Sequence, residues 1–415
     1  MNGERPGMGV DRPSPRAHTA DAERGTWARR AEAAGVGAVI ALAVTAQFSI
    51  VAAEAMLAIA VAAWVVTLWL GRERPAFPRM FRPLAAYAGL TLVSVAFSLA
   101  PDASLRDSKQ LLLYLVVPVV YRFAAGRRAD NLAWVVITAG AFSAIWGIVQ
   151  YGVLQYNVLE LRPRGSLGHW MTYSGTLMLV LGLAVSRILF RPKDRTWPLL
   201  VMPALIVALV LTFTRSAWVG ASVAVGLLLL MKDFRLVALL PVAAALFFGL
   251  APAKLTDRFY SMFDPRDPTS RDRMSMLGAG IRMVRDHPLT GVGPDVVLRV
   301  YPLYRDAGAV EPDQPHLHNV PIQIAAERGL PALAVWAWFV VFLAVSLWHA
   351  FRRAAVRSLP AGGLAAVAGM LAAGMFEHNF GDSEFLMLFL LAVTVPFAAE
   401  RVDGEGADSP TQVGA

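Results

Sequence analysis

The sequence predicts an all-α integral membrane protein with about twelve transmembrane helices. Of its 415 residues, 56% are hydrophobic and only 16% are charged, whereas a soluble domain usually has about 25% charged residues. Several apolar segments reach the roughly 20 residues that a helix needs to cross the hydrocarbon core of a bilayer. A helix satisfies its backbone hydrogen bonds internally, so we expect these segments to be helical.

The charge and cysteine content limit the choice of partners and cofactors. A net charge of +8 suits nucleic acid, but in membrane proteins Lys and Arg accumulate in cytoplasmic loops beside anionic headgroups. We therefore predict contact with membrane lipid and no nucleic-acid partner. The chain has no cysteine, which excludes disulfides and thiolate metal ligands.

The apolar segments divide the chain into five parts. Residues 1–31 are rich in Arg and Pro and predict a disordered cytoplasmic tail. Residues 32–252 contain nine predicted spans, residues 253–330 form one long polar loop, and residues 331–400 contain three more spans before a second tail at 401–415. The predicted spans cover 33–50, 52–70, 84–101, 110–126, 131–151, 168–190, 196–214, 216–231, 234–252, 331–350, 361–379 and 383–400.

The distribution of positive charge predicts the sidedness of these spans. With the N-terminus inside, most Lys and Arg residues outside the long loop fall in the predicted inner segments. Both termini are then cytoplasmic, and the long loop lies on the outer face.

The long loop contains two predicted helices. The first covers Asp272 to Asp286 and ends at His287-Pro288. Its predicted apolar stripe consists of Met274, Leu277, Ile281 and Val284. The second starts with Asn319 as its cap and Pro321 in its first turn, and stops at Gly329.

The predicted topology places several basic residues on this outer face: Arg162, Arg164, His169, Arg215, Arg273, His316 and His318. Arg215 lies in a very short connection between two predicted spans, at the membrane surface. Its planar guanidinium suits phosphate oxygens. The alternative is that Arg215 extends towards lipid headgroups.

His318 has the features of a general base, because the dipole of the helix that follows favours neutral imidazole. A loop histidine bonded to backbone is the alternative. His316 could instead be the base or a metal ligand, although a His-x-His pair alone is weak evidence for zinc.

Two acidic segments are further candidates. Glu311 and Asp313 could hold a divalent ion or form a solvated turn. The connection between the last two spans, with Glu377, His378, Asn379, Asp382 and Glu384, could bind a sugar acceptor or be exposed.

Together these residues resemble the O-antigen ligase and polymerase superfamily over about residues 150–345. The matching segments are Arg164-Gly165-Ser166, His169-Trp170-Met171-Thr172-Tyr173, Thr214-Arg215-Ser216-Ala217-Trp218, Arg273, Asp286-His287-Pro288-Leu289-Thr290-Gly291-Val292-Gly293, and His318-Asn319 with Glu327-Arg328-Gly329. The ligase signature ends in Gly, Thr or Tyr three residues after Gly329. This chain has Ala332 there, and polymerases share much of the region.

The resemblance implies a GT-C-like, inverting, metal-independent glycosyltransferase without a cofactor. Such an enzyme transfers a glycan from undecaprenyl diphosphate to lipid A-core in lipopolysaccharide biosynthesis, or to another glycan as a polysaccharide polymerase. The reaction takes place at the periplasmic face of the bacterial inner membrane. By motif, Arg215 and Arg273 would bind the donor diphosphate and His318 would be catalytic. Arg164, His169, His316 and Asn319 are further candidates for substrate binding.

Two other classes of function remain open. A transporter or flippase usually places ionisable groups near the bilayer midplane and is built from repeats, whereas the charged residues here cluster at one surface. A membrane scaffold with a partner-binding loop would not require the clustered arginines and histidines.

Overall fold

The computed structural model describes residues 15–250, 252–264, 266–306 and 308–401, and within these ranges every regular element is a helix. The α-helices are α1 (Pro15–Thr45), α2 (Ile50–Gly71), α3 (Phe81–Ala96), α4 (Pro101–Asp107), α5 (Val116–Phe123), α6 (Arg127–Gly152), α7 (Trp170–Phe190), α8 (Thr196–Leu211), α9 (Arg215–Lys232), α10 (Leu239–Leu250), α11 (Ala253–Tyr260), α12 (Pro268–Asp286), α13 (Val297–Tyr304), α14 (Val320–Arg353), α15 (Ser358–Gly374) and α16 (Ser383–Ala399). Short 3-10 segments cover Ser108–Leu115, Pro192–Asp194, Phe234–Ala238 and Asn379–Gly381.

Five described helices are long and apolar enough to cross a membrane, namely α2, α6, α7, α9 and α14. Shorter apolar helices occur at α3, α8, 234–250, α15 and α16. The predicted all-α class is therefore confirmed for the described residues, with five candidate membrane-spanning helices. The count of twelve crossings and the outer position of the long loop stay predictions.

The N-terminal segment corrects one expectation. The sequence predicts disorder for residues 15–31, but they belong to α1. This stretch is rich in the helix formers Ala and Arg, which explains the difference. In the next turn Glu32 pairs with Arg122 at 3.2 Å and with Arg128 at 2.8 Å. Residues 1–14 and 402–415, which include most of the second predicted tail, lie outside the described residues.

Helices α7 and α16 lie at the centre of the helical bundle, and nearly all residues of α16 are buried. Small residues let α7, α9 and α15 approach closely: a Cβ built on Gly220 would lie 2.8 Å from the Gly369 carbonyl oxygen. This is how packed membrane helices gain contact without a hydrophobic driving force between them.

The long loop has a second, smaller core formed by α4, α12, α13 and the start of α14. Its buried members include Met276, Ala279 and Met283 of α12. The predicted stripe on α12 is therefore wrong in register, since Met274 is 68% exposed. The reason is close packing against α14, because a Cβ on Gly280 would lie 2.3 Å from Ile322 Cγ2.

Three of the four predicted helix ends in the loop are confirmed, whereas α12 begins at Pro268, four residues before the predicted start at Asp272, because Asp267 caps it. Helix α12 ends at Asp286, and Asn319 caps α14 by accepting a hydrogen bond from the Ile322 N–H at 3.0 Å. Gly329, with φ of 80°, interrupts α14 before the chain continues as the apolar span.

The turn 288–293 packs directly on this interruption. The Leu330 N–H donates to the Pro288 carbonyl and the Val292 N–H to the Ala326 carbonyl, both at 2.8 Å. A Cβ on Gly329 would lie 2.2 Å from the Leu289 carbonyl oxygen, so only glycine allows this approach. The contact fixes the start of α14, and with it His318, relative to the small core.

Candidate active site

Two cavities lie side by side where the small core meets the bundle. The first, the arginine cavity, has a volume of about 660 Å³ and is lined by Arg215, Ser216, Val219, Phe259, Met262, Phe263, Asp264, Ser270, Arg273, Met274 and Phe376. The second, the histidine cavity, has a volume of about 520 Å³ and is lined by Asp107, Gln110, His169, Met171, Thr172, Asp295, Pro315, His316, His318, Gln323, Glu327, Arg328, Glu377, His378, Gly381 and Asp382.

One segment forms a wall of both cavities. This is the connection 375–382 between α15 and α16, hereafter the dividing segment. Phe376 lines the arginine cavity, whereas the next residue, Glu377, lines the histidine cavity. The two chemical environments are therefore only the thickness of one chain segment apart at this point.

Arg215 is the first residue of α9, and its side chain is only 4% exposed. Its guanidinium donates to Ser261 Oγ at 3.0 Å and to Asp267 Oδ1 at 3.2 Å. Burial raises the pKa of Asp267, but the charge and hydrogen bond of Arg215 outweigh it and leave that pKa below its ordinary value. Asp267 also accepts from the Ser270 N–H at 3.1 Å, so the ion pair joins α9 to the start of α12.

Arg273 lies on α12, half-buried at the arginine cavity. It forms no hydrogen bond or ion pair with any residue that the structure describes. Burial lowers its pKa; Glu377 opposes this shift, and the charge of Arg215 adds to it. A partly desolvated guanidinium without a partner is unfavourable unless an anion binds there.

Two further arginines, Arg162 and Arg258, lie close enough to Arg215 to interact with its charge. Burial lowers the pKa of Arg162 to about 10, and the charge of Arg215 acts in the same direction. Burial and the charges of Arg215 and Arg162 likewise lower the pKa of Arg258 to about 10. The sequence places Arg162 on the outer face without a specific role and does not single out Arg258, because no local pattern distinguishes Arg258 from the other arginines of the long loop.

Arg164, which the motif favoured over Arg162, is exposed and interacts locally. Its guanidinium approaches the Gly168 carbonyl at 3.5 Å and lies 5.8 Å from the Tyr156 ring. Arg162 instead lies over the Trp170 ring at 4.8 Å. The structure therefore brings Arg162, and not Arg164, towards the arginine cluster.

His318 pairs with Glu377, whose Oε1 lies 3.0 Å from the ring Nδ1. Burial raises the pKa of Glu377, but the charge and hydrogen bond of His318 outweigh it and bring the value to about 2. An ionised carboxylate only accepts hydrogen bonds, so Nδ1 carries a proton in both the charged and the neutral ring, and Nε2 is the atom that gains or loses the second proton. This is the arrangement of a general base oriented by a carboxylate.

The backbone at His318 is strained. Its φ of 48° is in the left-handed region, which costs a non-glycine residue about 1–3 kcal/mol and is common at functional sites. The neighbouring Leu317 N–H donates to Gln323 Oε1 at 2.6 Å, which helps to hold this conformation. Phe213, two residues before Arg215, and Asp295 at the histidine cavity also have positive φ, at 53° and 58°.

The other predicted residues take different positions. His316 lies 4.7 Å from the His318 ring and 5.4 Å from that of His378, between centroids, and burial lowers its pKa to about 4. His169 lines the same cavity and caps α7 by accepting from the Met171 N–H at 3.2 Å. The Asn319 amide donates to the Met375 carbonyl at 3.0 Å in addition to capping α14, so its side chain is engaged within the protein.

The far end of the histidine cavity is rich in carboxylates. Arg328 pairs with Glu327 at 2.5 Å and with Asp107 at 3.4 Å, and the Asp295 N–H donates to Glu327 Oε1 at 3.0 Å. Carboxylates at the edge of a cavity can accept hydrogen bonds from the hydroxyl groups of a sugar.

Three residues of the histidine cavity could hold a metal ion: His316, His318 and Glu377, whose ligand atoms lie within 4.8 Å of one another. Glu311 and Asp313 are exposed and line neither cavity. The acidic pair suggested by the sequence therefore lies outside both cavities.

Comparison with known proteins gives one family match. Residues 199–337 match the family model described as O-antigen ligase, and this range contains Arg215, Arg273, His316 and His318. A search of curated proteins found no match. The apolar helices and the matched region agree with the motifs seen in the sequence, and together they support the O-antigen ligase and polymerase superfamily.

Proposed function

We propose that the protein transfers a glycan from undecaprenyl diphosphate to a sugar hydroxyl at the periplasmic face of the inner membrane, as an O-antigen ligase. The dividing segment is the observation that carries this proposal. It brings a basic, apolar cavity and a cavity with a carboxylate-oriented histidine to opposite sides of Phe376 and Glu377. A transferase needs these two environments next to each other, one for the charged leaving group and one for the attacking hydroxyl.

The arginine cavity suits a lipid diphosphate. Arg215 and Arg273 present guanidinium groups, and the wall beside them is made of apolar side chains. Guanidinium forks bind phosphate oxygens strongly, and an apolar wall suits the start of a polyprenyl chain. Arg162 and Arg258 add positive charge around Arg215, and Asp267 is the only carboxylate that pairs directly with the four arginines in the described residues.

The reaction follows from these positions. The acceptor hydroxyl, in the histidine cavity, loses its proton to Nε2 of His318 as its oxygen attacks the anomeric carbon. The bond from that carbon to the phosphate oxygen breaks, and its electron pair leaves with the diphosphate. Arg215 and Arg273 stabilise the charge that develops there. Attack opposite the leaving group inverts the anomeric centre, and His318 then releases its proton to solvent.

Glu377 orients His318, and the carboxylates at the far end of the histidine cavity orient the acceptor sugar. Glu377 holds His318 in the tautomer with a basic Nε2, as the carboxylate does in a Ser-His-Asp triad. Asp107, Asp295 and Glu327 accept hydrogen bonds from the acceptor sugar. No step of this mechanism needs a metal ion or a cofactor.

A polymerase of the same superfamily is the second candidate, because the chain has Ala332 where the ligase signature has Gly, Thr or Tyr. This residue is fully buried in the bundle core, so the signature position packs between helices and does not line either cavity. The small side chain therefore bears on packing more than on substrate choice, and the assay must separate the two activities.

The test is glycan transfer by the purified protein in detergent. The donor is an undecaprenyl diphosphate-linked oligosaccharide, and the acceptor is either lipid A-core or a second lipid-linked glycan, each with and without EDTA. We expect product on lipid A-core that is undiminished by EDTA and lost in His318→Ala. Elongation of the lipid-linked glycan alone would identify a polymerase, and no product with either acceptor would refute the proposal.

A further inference from the structure

Two histidines and a glutamate from separate parts of the chain meet in the histidine cavity. His316 and His318 precede α14, whereas Glu377 belongs to the dividing segment, and their ligand atoms lie within 4.8 Å of one another. The two histidine rings are 4.7 Å apart between centroids. The proposed catalytic pair consists of His318 and Glu377 alone. The position of His316 beside them therefore needs another explanation.

Unsatisfied atoms in the same place point to a missing ligand. Glu377 is only 8% exposed, and its Oε1 accepts from the His378 N–H at 3.0 Å and contacts His318. Its Oε2 is buried without a hydrogen-bond partner among the described residues, and so is Nδ1 of His378. A buried carboxylate oxygen left unpaired is costly, and a cation would satisfy it.

The donor set selects the kind of cation. Two imidazoles and one carboxylate form a common three-ligand set for Zn²⁺, with a fourth position open to water. Ca²⁺ and Mg²⁺ prefer oxygen ligands alone. Tetrahedral Zn²⁺ places its ligand atoms roughly 3.3 Å apart, so these side chains need to close by about 1–1.5 Å, which small rotations of the imidazoles and the carboxylate provide.

We propose that His316, His318 and Glu377 form a Zn²⁺ site whose occupation inhibits the enzyme. Coordination of His318 through Nε2 removes the lone pair that would accept the proton of the acceptor, and coordination through Nδ1 breaks the contact with Glu377. Either mode disables the base. The inhibition rests on the proposed function, whereas the binding of zinc does not.

Binding is measured first and without substrate. The full-length protein in detergent competes with a fluorescent zinc indicator at buffered micromolar free Zn²⁺. We expect one Zn²⁺ per chain, and at least about 10-fold weaker binding in His316→Ala and Glu377→Gln, because each loses one of three ligands. His349→Ala is the matched control, since this exposed histidine lies near the C-terminal end of α14, and its zinc affinity should equal that of the wild type.

Inhibition is measured in the transfer assay, with each protein compared with its own EDTA-treated rate. Zinc should lower the wild-type rate at least 10-fold, EDTA should restore it, and His316→Ala should need at least 10-fold more zinc for the same loss. Failure of the wild type to bind zinc, or equal binding by His316→Ala, would overturn the site, and stimulation by zinc would overturn the inhibition. Zinc binding through these residues in a protein that transfers no glycan would uphold the site and refute the proposed function.

Discussion

The arginine cavity and the histidine cavity share a wall but differ in almost every physical property. The first is apolar, and four arginines gather around its one direct ion pair, Arg215 with Asp267. The second is polar, and it contains four histidines, five carboxylates and only Arg328 as a cation of fixed charge. In the proposed function, the arginine cavity would bind the charged leaving group and the histidine cavity would carry out proton transfer, so a variant should affect one of these more than the other.

The two cavities also differ in how the chain builds them. The arginine cavity comes mainly from α9, α11 and α12, which lie close together in sequence. The histidine cavity combines the start of α7, the 3-10 segment at 108–115, the turn at Asp295, the start of α14 and the dividing segment. The second cavity therefore depends more strongly on the packing of the whole bundle.

The largest effect should come from His318→Ala. Loss of a general base lowers the transfer rate by roughly 1000-fold, while donor affinity should stay near the wild-type value because the arginine cavity is unchanged. Initial rates at saturating donor, together with donor binding, measure both quantities. His349→Ala is the control, and a rate for His318→Ala within tenfold of the wild type would contradict the role of this residue.

Arg215→Ala should lower the rate by roughly 100- to 1000-fold, because a preorganised donor to the leaving group is lost. It should also destabilise the protein by about 1–3 kcal/mol, since the partly buried Asp267 loses its cationic partner. The double variant Arg215→Ala/Asp267→Asn separates the two effects. Its melting temperature should recover towards the wild-type value while transfer stays lost, and recovery of transfer would show that Arg215 acts only in folding.

Glu377→Gln should lower the rate by roughly 10- to 100-fold. The amide oxygen can still accept from Nδ1 of His318, but the negative charge that stabilises the protonated ring is lost. The expected signature is a lower kcat with little change in the KM for the donor. An unchanged kcat with a raised donor KM would instead place Glu377 with the arginine cavity.

The same variant has a defined pH dependence of stability. The pKa of Glu377 is about 2 in the folded protein, below its ordinary value of 4.5. A depressed carboxyl pKa stabilises the fold above pH 4.5, and this contribution is lost as the pH falls towards 2. The difference in melting temperature between wild type and Glu377→Gln should therefore be fully present just above pH 4.5 and shrink as the pH falls below 4.5. A difference that grew on acidification would contradict the ionised pair.

Arg273→Lys should lower the rate by about 10-fold, more than conservation of charge suggests, because lysine cannot reproduce the planar fork on two phosphate oxygens. The loss should appear in both the donor KM and kcat. Turnover near the wild-type level would mean that a point charge is sufficient at this position.

The smallest effects come from the pair Arg162→Ala and Arg164→Ala. Arg162 contributes to the field around Arg215, so its loss should raise the donor KM by roughly 3- to 10-fold, whereas the exposed Arg164 should change it by less than about 2-fold. Each variant is the control for the other. A larger rise in donor KM for Arg164→Ala than for Arg162→Ala would instead support Arg164, the residue that the motif favours.

Local features of the sequence were sufficient for much of the fold. Hydrophobic composition and apolar length depend on each segment alone, which is why the helical membrane class could be predicted. The end of α12 at Asp286 and the Asn319 cap of α14 follow from capping rules that act within one turn. Gly329 as a stop follows for the same reason. The short motifs that contain Arg215, Arg273 and His318 are also local features of the sequence.

Only the tertiary structure decided which of these residues meet. Glu377 lies 59 residues from His318, and no periodicity or cap links two positions so far apart. The buried face of α12 was set by contact with α14, and Arg162 was selected over Arg164 by the position of Arg215. The division between Phe376 and Glu377 likewise depends on how α15 and α16 pack, because side chains from distant segments share a cavity only when the whole bundle has folded.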